Sequence, residues 1–168
     1  MSKVGLEVDI EKTFEQFADL TAQHMTFAIK KALNKAAVEL RQLTTDNFLS
    51  SGIRQHSPDS KYNDSMEEGV MMKKAKGSYD EDFYSIVHIM GSRATGSGTF
   101  RLRFYEKGTK DRYQQSANGK PLSKPKYIGS IKPKWFFKSA NSQIESSLDR
   151  IYMEEIDKAI EKINKRQK

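Results

Sequence analysis

The sequence predicts an α+β fold in which a long N-terminal helix and a C-terminal helix pack on a small antiparallel sheet of three to four strands. Apolar residues recur every three or four positions near both ends of the chain, which is typical of helices with one buried face. Shorter segments in the middle alternate between apolar and polar residues and are separated by glycine-containing turns. Helices on either side of a strand-rich centre favour this fold class.

The chain has 168 residues, enough for a single domain with one core, and we expect 1–168 to form that domain. It contains no cysteine, which excludes disulfides and thiolate metal sites. His24, His56 and His88 are far apart and lack metal-ligand spacing, and no serine lies in a Gly-x-Ser-x-Gly motif. We therefore expect no enzymatic activity, no metal and no other cofactor. No signal-peptide pattern or membrane-spanning apolar run occurs, so no membrane partner is expected.

The first helical region covers 9–49 and has a slip in its apolar phase near Leu20. This slip predicts a short helix over 9–20 and a long one over 22–49. At 1.5 Å per residue the long helix would extend about 40 Å, roughly the width of the domain. The next segment, 55–64, is rich in turn-forming residues and is predicted to be an exposed loop.

Three segments are predicted to form an antiparallel meander, namely 69–76, 82–90 and the first part of 99–112, with a possible fourth strand at 126–131. The third strand is predicted to run into a charged turn marked by Glu106, Gly108 and Thr109. In the third strand alternate residues would share a face, because side chains alternate along a strand. The face toward the core would carry Phe100, Leu102 and Phe104, and the opposite face Arg101, Arg103 and Tyr105.

The segment 110–131 is long, polar and predicted to be a mobile loop. The last helix is predicted to begin at Pro133, because proline is well tolerated at the first helical position. Three consecutive aromatic residues follow, and we expect them to anchor this helix to the core: Trp135, Phe136 and Phe137.

Positive charge is concentrated in one region. The chain has a net charge of +7, and 101–138 alone contains eleven basic and two acidic residues. Such a segment favours an acidic or polyanionic partner. Two interpretations stay open: contact with protein partners, or nucleic-acid binding in which aromatics stack on bases and cations follow phosphates. The predicted contact residues are Arg101, Arg103, Tyr105, Lys107, Lys110, Arg112, Tyr113, Lys120, Lys124 and Lys126.

Two short motifs and the order of the elements resemble the neck or tail-completion proteins of long-tailed bacteriophages, a head-tail connector family. The first motif is the FYEKGT sequence at 104–109, in which Lys107 stands where the family usually has an aromatic residue. The second is PKWFFKSA at 133–140. The resemblance covers nearly the whole chain except 110–131, which departs from the family pattern.

The resemblance implies a structural virion protein, assembled in the host cytoplasm, that forms a homo-oligomeric ring at the neck. Its implied partners are other copies of itself and phage connector, stopper or tail-tube proteins, with possible non-specific contact to genome DNA in the lumen. The alternative is a small basic nucleic-acid-binding protein using 101–138. The resemblance gives scaffold roles to Phe100, Leu102, Phe104, Gly108, Pro133, Trp135, Phe136 and Phe137.

Overall fold

A computed structural model of the chain describes residues 4–5, 22–53, 66–78, 81–89 and 101–166. The predicted short helix at 9–20, the predicted loop at 55–64 and the predicted core residue Phe100 lie outside these residues. The elements are β1 (Val4–Gly5), α1 (Ala22–Ser50), a 3-10 helix (Met66–Gly69), β2 (Val70–Ser78), β3 (Glu81–Ile89), α2 (Leu102–Lys107), β4 (Arg112–Ala117), β5 (Lys120–Gly129), α3 (Phe136–Glu145) and α4 (Leu148–Arg166).

Helix α1 confirms the long N-terminal helix. Its 29 residues extend about 43 Å at the standard helical rise. The helix ends where Ser50 Oγ donates to the carbonyl of Asp46, Ser51 Oγ donates to that of Phe48, and Gly52 takes a positive φ of 71°. Its core-facing stripe follows the three-and-four spacing of a helix: Met25, Ala28, Ile29, Ala32, Leu33, Ala36, Ala37, Leu40 and Phe48.

The predicted strands at 69–76 and 82–90 are confirmed as β2 and β3, which pair antiparallel with Val70 opposite Ile89. The sheet order is β1-β3-β2, with Val4 opposite Val87. The buried face of the sheet packs on α1. Two α1 side chains also bond to β2: Arg41 Nε donates to the carbonyl of Val70, and the Ala75 amide donates to Asn34 Oδ1. The α+β class is therefore confirmed, but the third strand of this sheet is β1 and not the start of 99–112.

The C-terminal segment forms two helices where one was predicted. Helix α3 begins at Phe136 rather than Pro133. The helical conformation is interrupted between α3 and α4 by a turn at Ser146 and Ser147. Ser146 Oγ donates to the carbonyl of Gln143, and Ser147 Oγ donates to that of Ile144. These bonds satisfy carbonyls at the end of α3 and so favour a helix end. Both helices pack on α1.

A buried carboxylate joins α1 to α4. Glu155 is 4% exposed, and its Oε2 lies 2.6 Å from Lys31 Nζ while its Oε1 accepts a 2.9 Å hydrogen bond from Lys158 Nζ. Lys35 Nζ is 3.4 Å from Oε1. The hydrogen bond from Lys31, followed by that from Lys158, lowers the pKa of Glu155 from 4.5 to about 2.

Replacing Glu155 with glutamine removes the charge that pairs with the lysines and is expected to lower the free energy of unfolding at pH 7 by about 1 to 2 kcal/mol. The loss is no larger because the lysine partners are half exposed and screened by water. A depressed folded-state pKa stabilises the fold above pH 4.5, and this stability disappears as pH falls toward 2. Urea unfolding from pH 7 to pH 2 should therefore show the wild-type and variant curves converging only below pH 4.5. The exposed Glu161→Gln change on α4 is the control. A Glu155→Gln effect that is the same at every pH would contradict the ion-pair assignment.

Candidate partner-binding arm

Strands β4 and β5 form an antiparallel hairpin, 112–129, which we call the arm. Tyr113 lies opposite Tyr127, and Ala117 lies opposite Lys120. The turn between the strands is Asn118-Gly119, with φ values of 51° and 76°. Two successive positive φ angles are typical of the type I′ turn, whose twist matches that of paired strands. The predicted loop at 110–131 is thus wrong for most of its length, and the predicted fourth strand belongs to this separate two-stranded sheet.

None of the arm's residues, all of which the structure describes, is buried. Tyr113 and Tyr127 are each 54% exposed, and Ile128 is 49% exposed. An isolated two-stranded hairpin is only marginally stable in water, because it has no apolar face to bury. The arm therefore presents both of its faces to solvent or to another molecule.

All of the charged residues of the arm are basic. The arm has four basic residues, Arg112, Lys120, Lys124 and Lys126, all exposed, and no acidic residue. On one face the rings of Tyr113 and Tyr127 meet at a tilted angle with centroids 5.4 Å apart. Such cross-strand aromatic pairs stabilise a hairpin. The arm combines the cations and aromatics of a surface that binds acidic groups.

The base of the arm is closed by a pair of hydrogen bonds between the segment that leads into β4 and the segment that follows β5. The Thr109 amide donates to the carbonyl of Ile131 over 2.9 Å, and the Ile131 amide donates to Thr109 Oγ1 over 2.9 Å. The preceding Gly108 has φ 71° and ψ −177°, a conformation almost confined to glycine. A Cβ on Gly108 would lie 2.7 Å from the carbonyl oxygen of Ile131 and 2.9 Å from Cδ of Pro133. Only glycine fits at this position.

The strand predicted in the first part of 99–112 is wrong where the structure describes it, because Leu102–Lys107 is the helix α2. Leu102 and Glu106, four residues apart, are both buried, as expected of one face of a helix. Phe104, predicted to face the core, is 42% exposed. The alternation of Leu102 and Phe104 with arginine is real in the sequence, but it does not correspond to alternating burial.

Glu106 joins this helix to α3. Its Oε2 accepts a 2.9 Å hydrogen bond from the Phe137 amide, and its Oε1 accepts a 3.1 Å bond from the Lys138 amide. These amides belong to the first turn of α3, where they have no partner within the helix and favour a negative charge. Two backbone bonds add to the contact, from Lys134 N to the carbonyl of Tyr105 and from Trp135 N to that of Glu106.

The two sequence motifs therefore meet in one structural unit, which we call the clamp and define as 105–109 with 131–138. Phe136 and Phe137 anchor the clamp in the core, and the Phe136 ring packs against that of Phe48 with centroids 5.3 Å apart. Trp135 differs from the prediction of a core residue, because it is 45% exposed and has a left-handed φ of 50°. Lys138 Nζ lies 5.5 Å from the centre of its ring.

The predicted contact residues fall into two groups on either side of Gly108. One group lies on α2 or directly before it, with Arg103 and Lys107 exposed and Arg101 and Tyr105 half-buried. The other group is exposed on the arm or just before it: Lys110, Arg112, Tyr113, Lys120, Lys124 and Lys126. The clamp joins the two groups, and its principal side chain, Glu106, was not among the residues selected from the sequence.

No protein-family model, curated protein or solved structure matches the chain. Within the described ranges, no group of three or more His, Asp or Glu is placed to hold a metal ion. None of the helices in this part of the chain is long and apolar enough to cross a membrane.

Proposed function

We propose that this protein is a structural virion protein of a tailed bacteriophage, a ring-forming neck or tail-completion subunit that joins the head connector to the tail. The observation that carries the proposal is the exposed arm, held at its base by a clamp made of the same two motifs on which the family resemblance rests. The arm is the part of the chain suited to contact a neighbour.

A ring subunit acts by binding its neighbours, so it needs contact surfaces rather than a catalytic site. It needs a rigid body, supplied here by α1, α3, α4 and the three-stranded sheet, and a segment that extends beyond that body. With strands of six and ten residues, the arm extends about 20 to 30 Å. Because the clamp fixes the base of the arm, the body sets the direction in which the arm points.

The chemistry of the arm indicates the surfaces that it fits. Four cations without an acidic residue favour acidic patches, on adjacent copies of this chain or on connector, stopper or tail-tube proteins. The same charge suits non-specific contact with genome DNA passing through the lumen of a ring. The proposed location is the virion, after assembly in the host cytoplasm.

The exposed tyrosine pair and the four cations of the arm also support a second candidate, a small basic nucleic-acid-binding protein. Its affinity for single-stranded DNA would fall steeply with salt, and the chain would be monomeric and absent from particles. A ring subunit would instead sediment as an oligomer and be located at the neck of purified particles by electron microscopy.

Replacing 114–126 with an Asn-Gly turn is expected to prevent assembly into particles while changing the free energy of unfolding by less than about 1 kcal/mol, because no arm residue is buried. The change keeps the Tyr113 and Tyr127 pair and the clamp. Urea unfolding measures stability, and electron microscopy of particles measures incorporation.

A matched variant tests whether charge or shape is recognised on the arm. Lys120→Gln, Lys124→Gln and Lys126→Gln together keep the hairpin and remove three of its four cations. Weakened incorporation of this variant at physiological salt would support recognition of an acidic surface. Normal incorporation of the shortened arm would overturn the proposed role of the arm.

A further inference from the structure

The two edges of the arm differ in their backbone groups. In a two-residue hairpin the residues that flank the turn, here Ala117 and Lys120, exchange both backbone hydrogen bonds. Hydrogen-bonded and non-hydrogen-bonded pairs alternate, so the next pair, Ser116 and Pro121, directs its backbone groups away from the partner strand. On the β5 side this outward position is a proline, which has no N–H to donate. On the β4 side it is a serine, which has both an N–H and a carbonyl.

Strand β5 has the features that protect a sheet edge from further pairing. It contains Pro121 and Pro125, and its three lysines are exposed: Lys120, Lys124 and Lys126. Natural proteins place prolines and lysines on edges that must stay unpaired. Strand β4, with the sequence RYQQSA, has no proline and no lysine. Among the residues that the structure describes, β4 pairs with β5 alone, so its outer edge is open to another strand.

The outer edge of β4 already accepts a donor. Gln114 Nε2 donates a 2.8 Å hydrogen bond to the carbonyl of Ser116. Residues two apart along a strand direct their backbone groups to the same edge, so Gln114 and Ser116 both belong to the outer edge. An added strand would place a backbone N–H near the position that this side-chain amide occupies, since a carbonyl binds its donors in similar directions. Rotation of one glutamine side chain therefore frees the carbonyl for a partner.

The charges beside this edge select the chemistry of a partner. All four charged residues of the arm are basic, and Arg112 lies on β4 itself. Lys126 lies opposite Gln114, on the strand next to the open edge. Asp111, which precedes β4, accepts a 3.2 Å hydrogen bond from Tyr127 Oη. Acidic side chains on an added strand would meet cations across the sheet, whereas lysine or arginine would be repelled.

We infer that an extended acidic segment of a neighbouring protein binds along the outer edge of β4 and forms a third strand of the arm. The inference rests on the proposed function, since it names the contact through which a virion protein would hold the arm. Only a polypeptide offers the repeating N–H and C=O groups that pair with a strand edge, so nucleic acid is not the occupant. A second copy of the arm is a poor occupant, because its four cations would face the same charges. A third strand also supplies the pairing that an isolated hairpin lacks.

A synthetic peptide of alternating glutamate and threonine, about as long as β4, tests this edge in the full chain. It should protect the outward amides of Gln114 and Ser116 from hydrogen exchange, measured by NMR, and leave those of Ala117 and Lys120 unchanged. The matched peptide of alternating lysine and threonine has the same strand propensity and the opposite charge, and it should not bind. Oligothymidylate serves as the nucleic-acid probe.

Two variants separate the open edge from the charge of the arm. Ser116→Pro removes an outward N–H without removing a bond to β5, and Ser116→Ala is the matched control that keeps this N–H. Ser116→Pro should weaken binding of the glutamate-threonine peptide by about tenfold or more, whereas Ser116→Ala should bind it as the wild type does. The NMR spectrum of 120–129 checks that the hairpin is kept in both variants.

The outcomes separate this inference from the proposed function. The inference would be overturned by failure of the glutamate-threonine peptide to bind the wild type, by protection of β5 in place of β4, or by equal peptide affinity of Ser116→Pro and Ser116→Ala. Binding of oligothymidylate alone would also overturn it. In each case a wild-type chain found at the neck of particles leaves the ring function standing. A wild-type chain that is monomeric and absent from particles would overturn the ring function, even where the peptide binds β4.

Discussion

Replacing Glu106 with alanine is expected to lower the free energy of unfolding by about 3 to 4 kcal/mol, because two amides of α3 lose a buried, charged acceptor. The carboxylate is 4% exposed and bonds the amides of Phe137 and Lys138. Its negative charge also lies at the positive end of the α3 dipole. Glu106→Gln keeps one acceptor oxygen and the shape of the side chain, so a smaller loss of about 2 kcal/mol is expected.

Urea-induced unfolding followed by the fluorescence of Trp135 measures this effect next to the hydrogen bonds between Glu106 and α3. Circular dichroism measures it for the whole chain. Glu145→Ala is the matched control, since Glu145 is an exposed glutamate at the other end of α3 and should change stability by no more than about 0.5 kcal/mol. Equal losses of unfolding free energy for the Glu106 and Glu145 variants would show that the hydrogen bonds of Glu106 do not hold the clamp together in solution.

The parts of the fold that bury an apolar face could be predicted from the sequence. The spacing of apolar residues in α1 and the short apolar segments of β2 and β3 record which side chains leave water, and these elements lie where periodicity places them. Helix α2 was mistaken for a strand because six residues are too few for periodicity to separate the two structures. Its Glu106 contacts α3 across 31 residues of sequence, and local periodicity does not report such a contact.

The arm escaped prediction for a different reason. Hydrophobic alternation reports a strand only when one of its faces is buried, and neither face of the arm is. The available signal was the Asn118-Gly119 pair, which is typical of a two-residue hairpin turn and was interpreted as part of a loop. Trp135 was also predicted incorrectly. Its apolar ring predicted burial, but the left-handed backbone conformation of this residue at the start of α3 places the ring at the surface.

The candidate site was predicted in its composition and not in its geometry. The basic residues of the arm were identified from charge, and Gly108 was identified from the turn pattern around it. The joining of the two motifs through Glu106, Thr109 and Ile131 could not be inferred, because local sequence carries no signal for a contact between separated segments. This joining links the fold to the proposed function, since it fixes the arm to the core.

Gly108→Ala is expected to destabilise the protein by about 3 kcal/mol or more, and Gly108→Val by more still. The positive φ with extended ψ is nearly inaccessible to residues with a Cβ, and the added atom would come within 2.7 Å of the Ile131 carbonyl oxygen. The hydrogen bond between Thr109 and Ile131 should be lost first. The arm would then be misdirected, and under the proposed function incorporation into particles should fall even at temperatures where the core stays folded.

Gly119→Ala in the arm turn is the matched control for Gly108→Ala. Gly119 also has a positive φ, 76°, but a Cβ there would meet no atom within 4 Å. Its replacement should therefore cost only the conformational term, about 1 kcal/mol. Urea unfolding of both variants separates the two contributions, because the excess loss at Gly108 measures the close packing of the clamp. If the two substitutions were equally destabilising, the base of the arm would be looser than the contacts of Gly108 with Ile131 and Pro133 indicate, and the body would not set the direction of the arm.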